Sequence, residues 1–213
     1  MTELPHPKSQ TAAGRKSEAT RERLLFAAAE VLSRKGYSET RLNDIAEVAG
    51  LRAPAMYYYF RSRHELIAEV MAVGQTRLRE YVCAALEQLP ANTSPIDKIC
   101  AAVAAHLEVE LELSHFAMAV TRNTGQLPDD IRTRLREESR AYSNLWRTLM
   151  EEADEAGQIR PDLDLRAARK LVIGALNWTP EWWRHSEGTL AELTSTAQSL
   201  VRNGIGHSHQ RDP

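Results

Sequence analysis

The chain has 213 residues, 43% of them hydrophobic, enough for a buried core in one large domain or two small ones. Cys83 and Cys100 stand far apart with no CxxC pair and no neighbouring histidines, which argues against a disulfide framework or a zinc site, and no metal or cofactor motif is present. The net charge is −2, no run of 18 apolar residues occurs, and the N-terminus is polar and proline-bearing, so neither a membrane span nor a signal peptide is expected and the chain reads as cytoplasmic.

Residues 1–16 (MTELPHPKSQTAAGRK) lack apolar periodicity and read as a flexible arm, either without a role or with Lys8, Arg15 and Lys16 free to touch phosphates. Leu24, Leu25, Ala28, Val31 and Leu32 then write a helix over Glu18 to Lys35, with Gly36 just beyond its end. Thr40 stands at N-cap spacing before a two-turn helix carried by Leu42, Ile45, Ala46 and Ala49. Gly50 ends that helix, Leu51 pins the turn, and Pro54 opens a second helix whose Met56 and Phe60 face inward. The opposite face of the second helix carries Arg52, Ala55, Tyr58, Tyr59 and Arg61.

Ser62 with Glu65 three residues later forms a capping box, and a helix of about 39 Å follows to Leu89 through Leu66, Val70, Val73, Leu78, Val82 and Ala85. Pro90 to Thr93 is a linker, and Ser94-Pro95-Ile96-Asp97 starts an alanine-rich helix to about Val109. A short helix to about Asn123 and a long one over Asp129 to Glu155 come next, separated by Gly125-Gln126-Leu127-Pro128. Leu165 to Thr179 and Thr189 to Arg202 complete an all-α chain of about nine helices, and the tail from Gly204, with His207 and His209, reads as frayed. No run with the period of a strand appears.

Two short helices joined by a tight turn are the helix-turn-helix, whose second helix fits the major groove of DNA. The charge distribution agrees: up to Leu66 the balance is +3, and beyond it −5, a basic head on an acidic body. Gly36-Tyr37, Thr40, Ile45-Ala46, Ala49-Gly50, Met56-Tyr57-Tyr58, Phe60, Ser62 and Glu65-Leu66 together resemble the amino-terminal domain of the tetracycline-repressor family of bacterial transcription regulators.

That resemblance covers about residues 18–66 and implies a helix-turn-helix domain over 17–66, motif 42–61, followed by a ligand-binding and dimerisation domain over 67–203 and a flexible tail over 204–213. It implies DNA contacts from Arg52, Ala53, Pro54, Ala55, Tyr57, Tyr58 and Tyr59, and phosphate contacts from Thr40, Arg41 and Arg63. The chain departs from the pattern where Arg52, Ala53 and Ala55 replace small polar residues and Tyr59 takes a usual histidine position, which leaves the bases read undetermined.

The last two helices are apolar on more than one face, which calls for burial on both sides. Leu171, Ala175, Leu190, Leu193, Ala197 and Leu200 are therefore expected to form a homodimer seam, as the closing helices do in the resembled family, with a monomer of larger core as the alternative. A two-fold pair also reads two half-sites of a pseudo-palindromic operator, where one head alone contacts too few bases.

The middle helices are expected to enclose a cavity lined by His106, Glu110, Met118, Arg122, Tyr142, Trp146, Asn177, Trp178 and Trp182, with Arg122 holding an anionic head group; Trp146, Trp178 and His106 also fit plain core positions. The words QIRPDLD (158–164) and GALNWTPEWW (174–183) are similar to a branch of the family that senses acyl-coenzyme A thioesters. The reading is thus a ligand-responsive DNA-binding repressor whose effector is a hydrophobic small molecule such as an acyl-CoA. The competing reading is a helical protein-binding module with a degenerate helix-turn-helix. An enzyme is disfavoured, because no nucleophile and base spacing, phosphate loop or metal cluster stands out.

Overall fold

The computed structural model describes residues 12–113 and 115–207, and within them the chain is α-helical, with one isolated bridge between Ile159 and Gly206. Helix α1 (Ala12–Glu39) starts earlier than its periodicity suggests, so residues 12–16 are helix and not arm; residues 1–11, with Lys8, lie outside the described chain. α1 turns at Gly36 (φ 78°), where a residue with a Cβ would be strained. α2 (Leu42–Val48), α3 (Ala53–Met56) and the N-terminal half of α4 (Arg63–Glu87) close on α1.

Local sequence explains most of the helix ends. Ser62 Oγ accepts the Glu65 amide at 3.1 Å while the Glu65 carboxylate reaches back to the Arg61 amide at 2.8 Å, starting α4. Ser94 caps α5 (Pro95–Glu108) in the same manner, with Pro95 in its first turn. α5 runs into a π-helical turn, Val109–Leu113, before α6 (His115–Asn123). The expected long helix over 129–155 is kinked at Leu135 into α7 (Asp129–Arg134) and α8 (Arg136–Glu155). Asp164 caps α9 (Leu165–Trp182), and a Thr189–Glu192 capping box starts α10 (Leu190–Ile205).

The end of the described chain is held: the His207 amide donates to Gln158 at 2.7 Å and the Arg160 amide to Ile205 at 2.9 Å. The frayed tail expected from Gly204 therefore cannot begin before residue 208, and His209 lies outside the described residues.

Two cores form. One gathers Leu24, Leu32, Ile45, Met56, Phe60, Leu66 and Met71 of the head, and it does not stop at Leu66, because Phe116, Ala119 and Val120 of α6 and Ile131 of α7 belong to it. The other gathers Leu78, Val82, Ile99, Val103, Leu107, Trp146, Met150 and Leu176 of the body. α4 runs through both, and α6 packs on it from the side of the head core. It crosses α4 so closely at Gly74 that a Cβ there would lie 2.6 Å from the Phe116 carbonyl oxygen and from Val120 Cγ2.

At its other end, buried Asn123 accepts the Tyr37 amide at 2.6 Å and donates to the Leu32 and Ala119 carbonyls at 3.3 and 2.8 Å. Next to it Arg122 donates to the Ser33 carbonyl (2.8 Å), the Pro180 carbonyl (3.2 Å) and the Glu181 carboxylate (2.7 Å), tying α1, α6 and α9 at one point. Gly74→Ala is expected to cost about 1–3 kcal/mol through overpacking against backbone that cannot rotate away, read as a lower urea midpoint.

Candidate functional site

The head presents its second helix by backbone geometry. α2 ends in a reciprocal pair of bonds, Gly50 amide to Glu47 carbonyl (3.0 Å) and Leu51 amide to Ala46 carbonyl (2.8 Å), with Gly50 at φ 63°. Leu51 then tucks onto the head core and Met56 and Phe60 are buried beneath α3. What remains outward is Arg52, Pro54, Ala55, Tyr57 and Tyr58, with Tyr58 81% exposed and in edge-to-face contact with Tyr59 at 5.0 Å. Ala53 and Tyr59 are half-buried. α3 itself is one turn long; the chain continues by turns in which the Tyr59 and Phe60 amides both donate to the Met56 carbonyl at 2.9 Å.

Two residues act differently from expectation. Thr40 is buried and its hydroxyl donates to the Gly36 carbonyl at 2.7 Å, so the N-cap of α2 is Arg41, whose amide meets the Asp44 carboxylate at 3.3 Å. Lys35 pairs with Asp44 at 3.0 Å and holds that carboxyl below its usual range. Arg63 is half-buried: its Nε donates to the Thr40 carbonyl at 2.6 Å, its Nη2 to the Tyr37 carbonyl, and its guanidinium lies 4.6 Å from the Tyr37 ring centre. Arg63 thus braces the entry to α2, while Arg41 stays exposed.

Behind the head, a cleft of about 410 Å³ opens between α4, α6, α8 and α9. Leu78, Val120 and Ile173 supply its apolar wall, Gln75, Ser139, Tyr142, Ser143 and Asn177 its polar one, and Arg169 and Lys170 its cations. A wider hollow of about 640 Å³, shared at Gln75 and Ser139, continues it toward α7 past Arg132 and Arg136.

Tyr142 joins the cleft to a buried polar cluster. Its hydroxyl lies 2.7 Å from His106 Nδ1, and the Trp146 ring stands edge-on to both. His106 and Trp146 have no solvent exposure, and Glu110, the second residue of the π-helical turn, has almost none. Burial, opposed in part by the neighbouring Asn177 amide, pulls the His106 pKa down to about 4, so the ring is neutral near pH 7. Burial likewise raises the Tyr142 phenol, opposed by the neighbouring Trp146 indole N–H and reinforced by Glu110. His106 Nε2 and Trp146 Nε1 have no partner in hydrogen-bonding geometry among the described residues.

Of the residues expected around a cavity, Tyr142 and Asn177 line this cleft, while His106, Glu110 and Trp146 are buried outside its lining, in the cluster that Tyr142 contacts. Met118, half-buried on α6, is not part of its lining, and Arg122 is engaged at the α1–α6–α9 tie, not in the cleft. Trp178 and Trp182 point outward, 66% and 52% exposed, because they follow Leu171 and Ala175 at spacings of three and four on the outer face of α9. With Leu200 on α10, also exposed, and Leu190, Leu193 and Ala197, half-buried, they make an apolar stripe over both closing helices.

Cleft residues that escaped sequence reasoning share helical rows with two that did not: Ser139 and Ser143 stand beside Tyr142 on α8, and Arg169 and Ile173 precede Asn177 at spacings of four on α9.

A one-turn reading helix exposed on a three-helix head, above a helical body with an open cleft, defines a helix-turn-helix transcription regulator with a ligand-binding body. Residues 24–70 match the model of the bacterial regulatory proteins of the tetR family, and residues 92–205 that of the tetracyclin repressor-like C-terminal domain. The chain belongs to this family and is a DNA-binding, ligand-responsive transcription regulator.

Similar proteins include the fatty acid metabolism regulator protein of Bacillus subtilis, 21% identical over 85% of this chain and 93% of that one. The HTH-type transcriptional repressor KstR2 of Mycolicibacterium smegmatis is 25% identical over 88% of this chain and 91% of that one. Among solved structures, AibR in complex with isovaleryl coenzyme A and operator DNA shares the fold at a TM-score of 0.77, 17% identical, covering 85% of this chain and 97% of that one.

The buried imidazole gives the fold a pH dependence. Above pH 6.5 it is neutral folded or unfolded and contributes nothing to it; between about 6.5 and 4 the unfolded chain binds a proton that the folded one refuses, so stability falls by about 3 kcal/mol across that window. Urea unfolding at pH 7 and pH 4.5 is expected to show a larger loss for the wild type than for His106→Gln.

Proposed function

We propose that this chain represses transcription as a homodimer and is released from its operator by an acyl-coenzyme A thioester held in the α4–α6–α8–α9 cleft. The dimer seam is the apolar stripe of exposed Leu171, Ala175, Trp178, Trp182 and Leu200 with half-buried Leu190, Leu193 and Ala197, a larger apolar run than a free surface carries. The reading face is Arg52 to Ala55 with Tyr57, Tyr58 and Tyr59, and Arg41 sits beside it for a phosphate; Thr40 and Arg63 shape the backbone that carries Arg41.

The observation that carries the effector reading is that one short helix, α6, touches both functions. Val120 forms part of the cleft wall, while Arg122 and Asn123, less than one turn further, grip the end of α1 and Tyr37. A ligand that pushes Val120 outward therefore moves the grip on the head, and it favours the released state only as far as it binds that state better. The cleft suits a thioester with an anionic head: apolar depth at Leu78, Val120 and Ile173, and cations at Arg169 and Lys170, with Arg132 and Arg136 beyond. The names of the fatty acid regulator and of the isovaleryl-CoA complex of AibR point to the same class.

The operator comes from selecting bound fragments out of random duplexes. Titrating that complex with acyl-CoAs of four to sixteen carbons is then expected to release the DNA and raise the thermal midpoint of the protein; neither effect at any length removes the effector reading, and no shifted duplex even at low salt removes the DNA reading. Arg52→Ala is expected to leave the thermal midpoint unchanged, since the side chain is exposed, and to weaken operator binding about tenfold in an electrophoretic shift titration.

A further inference from the structure

A cleft made only for a saturated acyl chain would end in apolar side chains, and this one does not. Its walls at Leu78, Val120 and Ile173 are apolar, but Tyr142 and Asn177 also line it, and behind Tyr142, buried outside the lining, lie His106, Glu110 and Trp146, supplied by α5, the π-helical turn and α8. Buried polar atoms are nearly always paired. Here His106 spends Nδ1 on the Tyr142 hydroxyl at 2.7 Å; the Asn177 amide lies beside the imidazole and the Trp146 indole beside the Tyr142 phenol, but neither His106 Nε2 nor Trp146 Nε1 completes a hydrogen bond of good geometry among the described residues. The two rings are adjacent, with centres 6.5 Å apart. Tyr142 spans both regions, its side chain on the cleft and its hydroxyl on His106.

We infer that the effector carries an oxygen at its buried end, a ketone or hydroxyl on the acyl portion, which pairs with Trp146 Nε1 and His106 Nε2. This rests on the reading of the cleft as an acyl-thioester site and narrows it. The indole N–H only donates, so it selects an acceptor oxygen, which either group provides. The imidazole is neutral and presents at Nε2 whichever role the Tyr142 hydroxyl leaves it: a donor, which suits a ketone, or an acceptor, which suits a hydroxyl. A methyl terminus satisfies neither ring and seals both polar atoms from water. A site built to hydrogen-bond a ligand rejects the analogue that lacks the group more strongly than it rejects a change of chain length. The π-helical turn fits this role, since such insertions recur where a helix is reshaped around a functional site.

The test compares matched thioesters on the full-length wild-type protein by titration calorimetry: hexanoyl-, octanoyl- and decanoyl-CoA against their counterparts with a ketone one carbon from the end or a hydroxyl at the end. At the best length an oxygenated thioester is expected to bind at least tenfold more tightly than the saturated one. Trp146→Phe and His106→Phe are each expected to shrink that ratio to within about twofold, weakening the oxygenated thioester more than the saturated one.

Should His106→Phe lose its helical circular dichroism, Trp146→Phe and the wild-type ligand comparison decide alone. Equal binding of saturated and oxygenated thioesters at every length overturns the inference and leaves the acyl-CoA reading standing, as does a ratio that survives both replacements. If no thioester binds, both readings fall.

Discussion

The close crossing of α4 and α6 is the contact on which the rest of the molecule depends. Gly74 leaves no room for a Cβ, so Phe116 and Val120 rest directly against α4 backbone and the two helices move as a pair. Phe116 in turn packs edge-on against Phe26 of α1 at 5.1 Å, and Arg77 lies over both rings. Asn123 completes the joint from within: one amide satisfies the Tyr37 N–H and the Leu32 carbonyl where α1 bends at Gly36, and the Ala119 carbonyl of its own helix. A buried polar group with all of its bonds made in one geometry holds its neighbours to that geometry, because any slide leaves donors and acceptors unpaired in a dry place. Head and body are thereby coupled through α4, which runs through both cores, and through the few residues of α6 that lock onto it and onto α1.

The body shows the opposite economy. Most of its core is ordinary apolar packing of Leu78, Val82, Ile99, Val103 and Leu107, yet it keeps an imidazole, a carboxyl, a phenol and an indole next to a cleft. Burying a histidine so completely that it stays neutral well below pH 6.5 costs folding stability that a leucine would have supplied. Proteins retain such clusters where binding depends on them, and the proximity of this one to the cleft is its physical justification.

Much of the architecture was legible because it is local. Ser62 with Glu65, Ser94 with Pro95 and Asp97, and Gly50 all did what their side chains and backbone freedom dictate, and the apolar rows of α1, α2 and α4 face the core as their spacing requires. The misreadings arose where tertiary contacts decide. Periodicity cannot show that Thr40 spends its hydroxyl on Gly36, that Arg122 is drawn to the carbonyls of Ser33 and Pro180, or that α6 completes the core of the head. The tryptophans illustrate the limit best: Trp146 and Trp178 look alike in sequence, and only the helix face each occupies sends one into the body core and the other to the surface.

The turn at Gly50 has a further meaning for how such a regulator changes over time. Placement of the second helix is fixed by backbone bonds and by Leu51, Met56 and Phe60 underneath, whereas Arg52, Ala55, Tyr57 and Tyr58 take no part in the buried core of the head. The letters that face outward are therefore decoupled from foldability. Substitutions there can drift freely, and a duplicated copy of the gene can acquire a new target sequence without first having to compensate for a weakened scaffold.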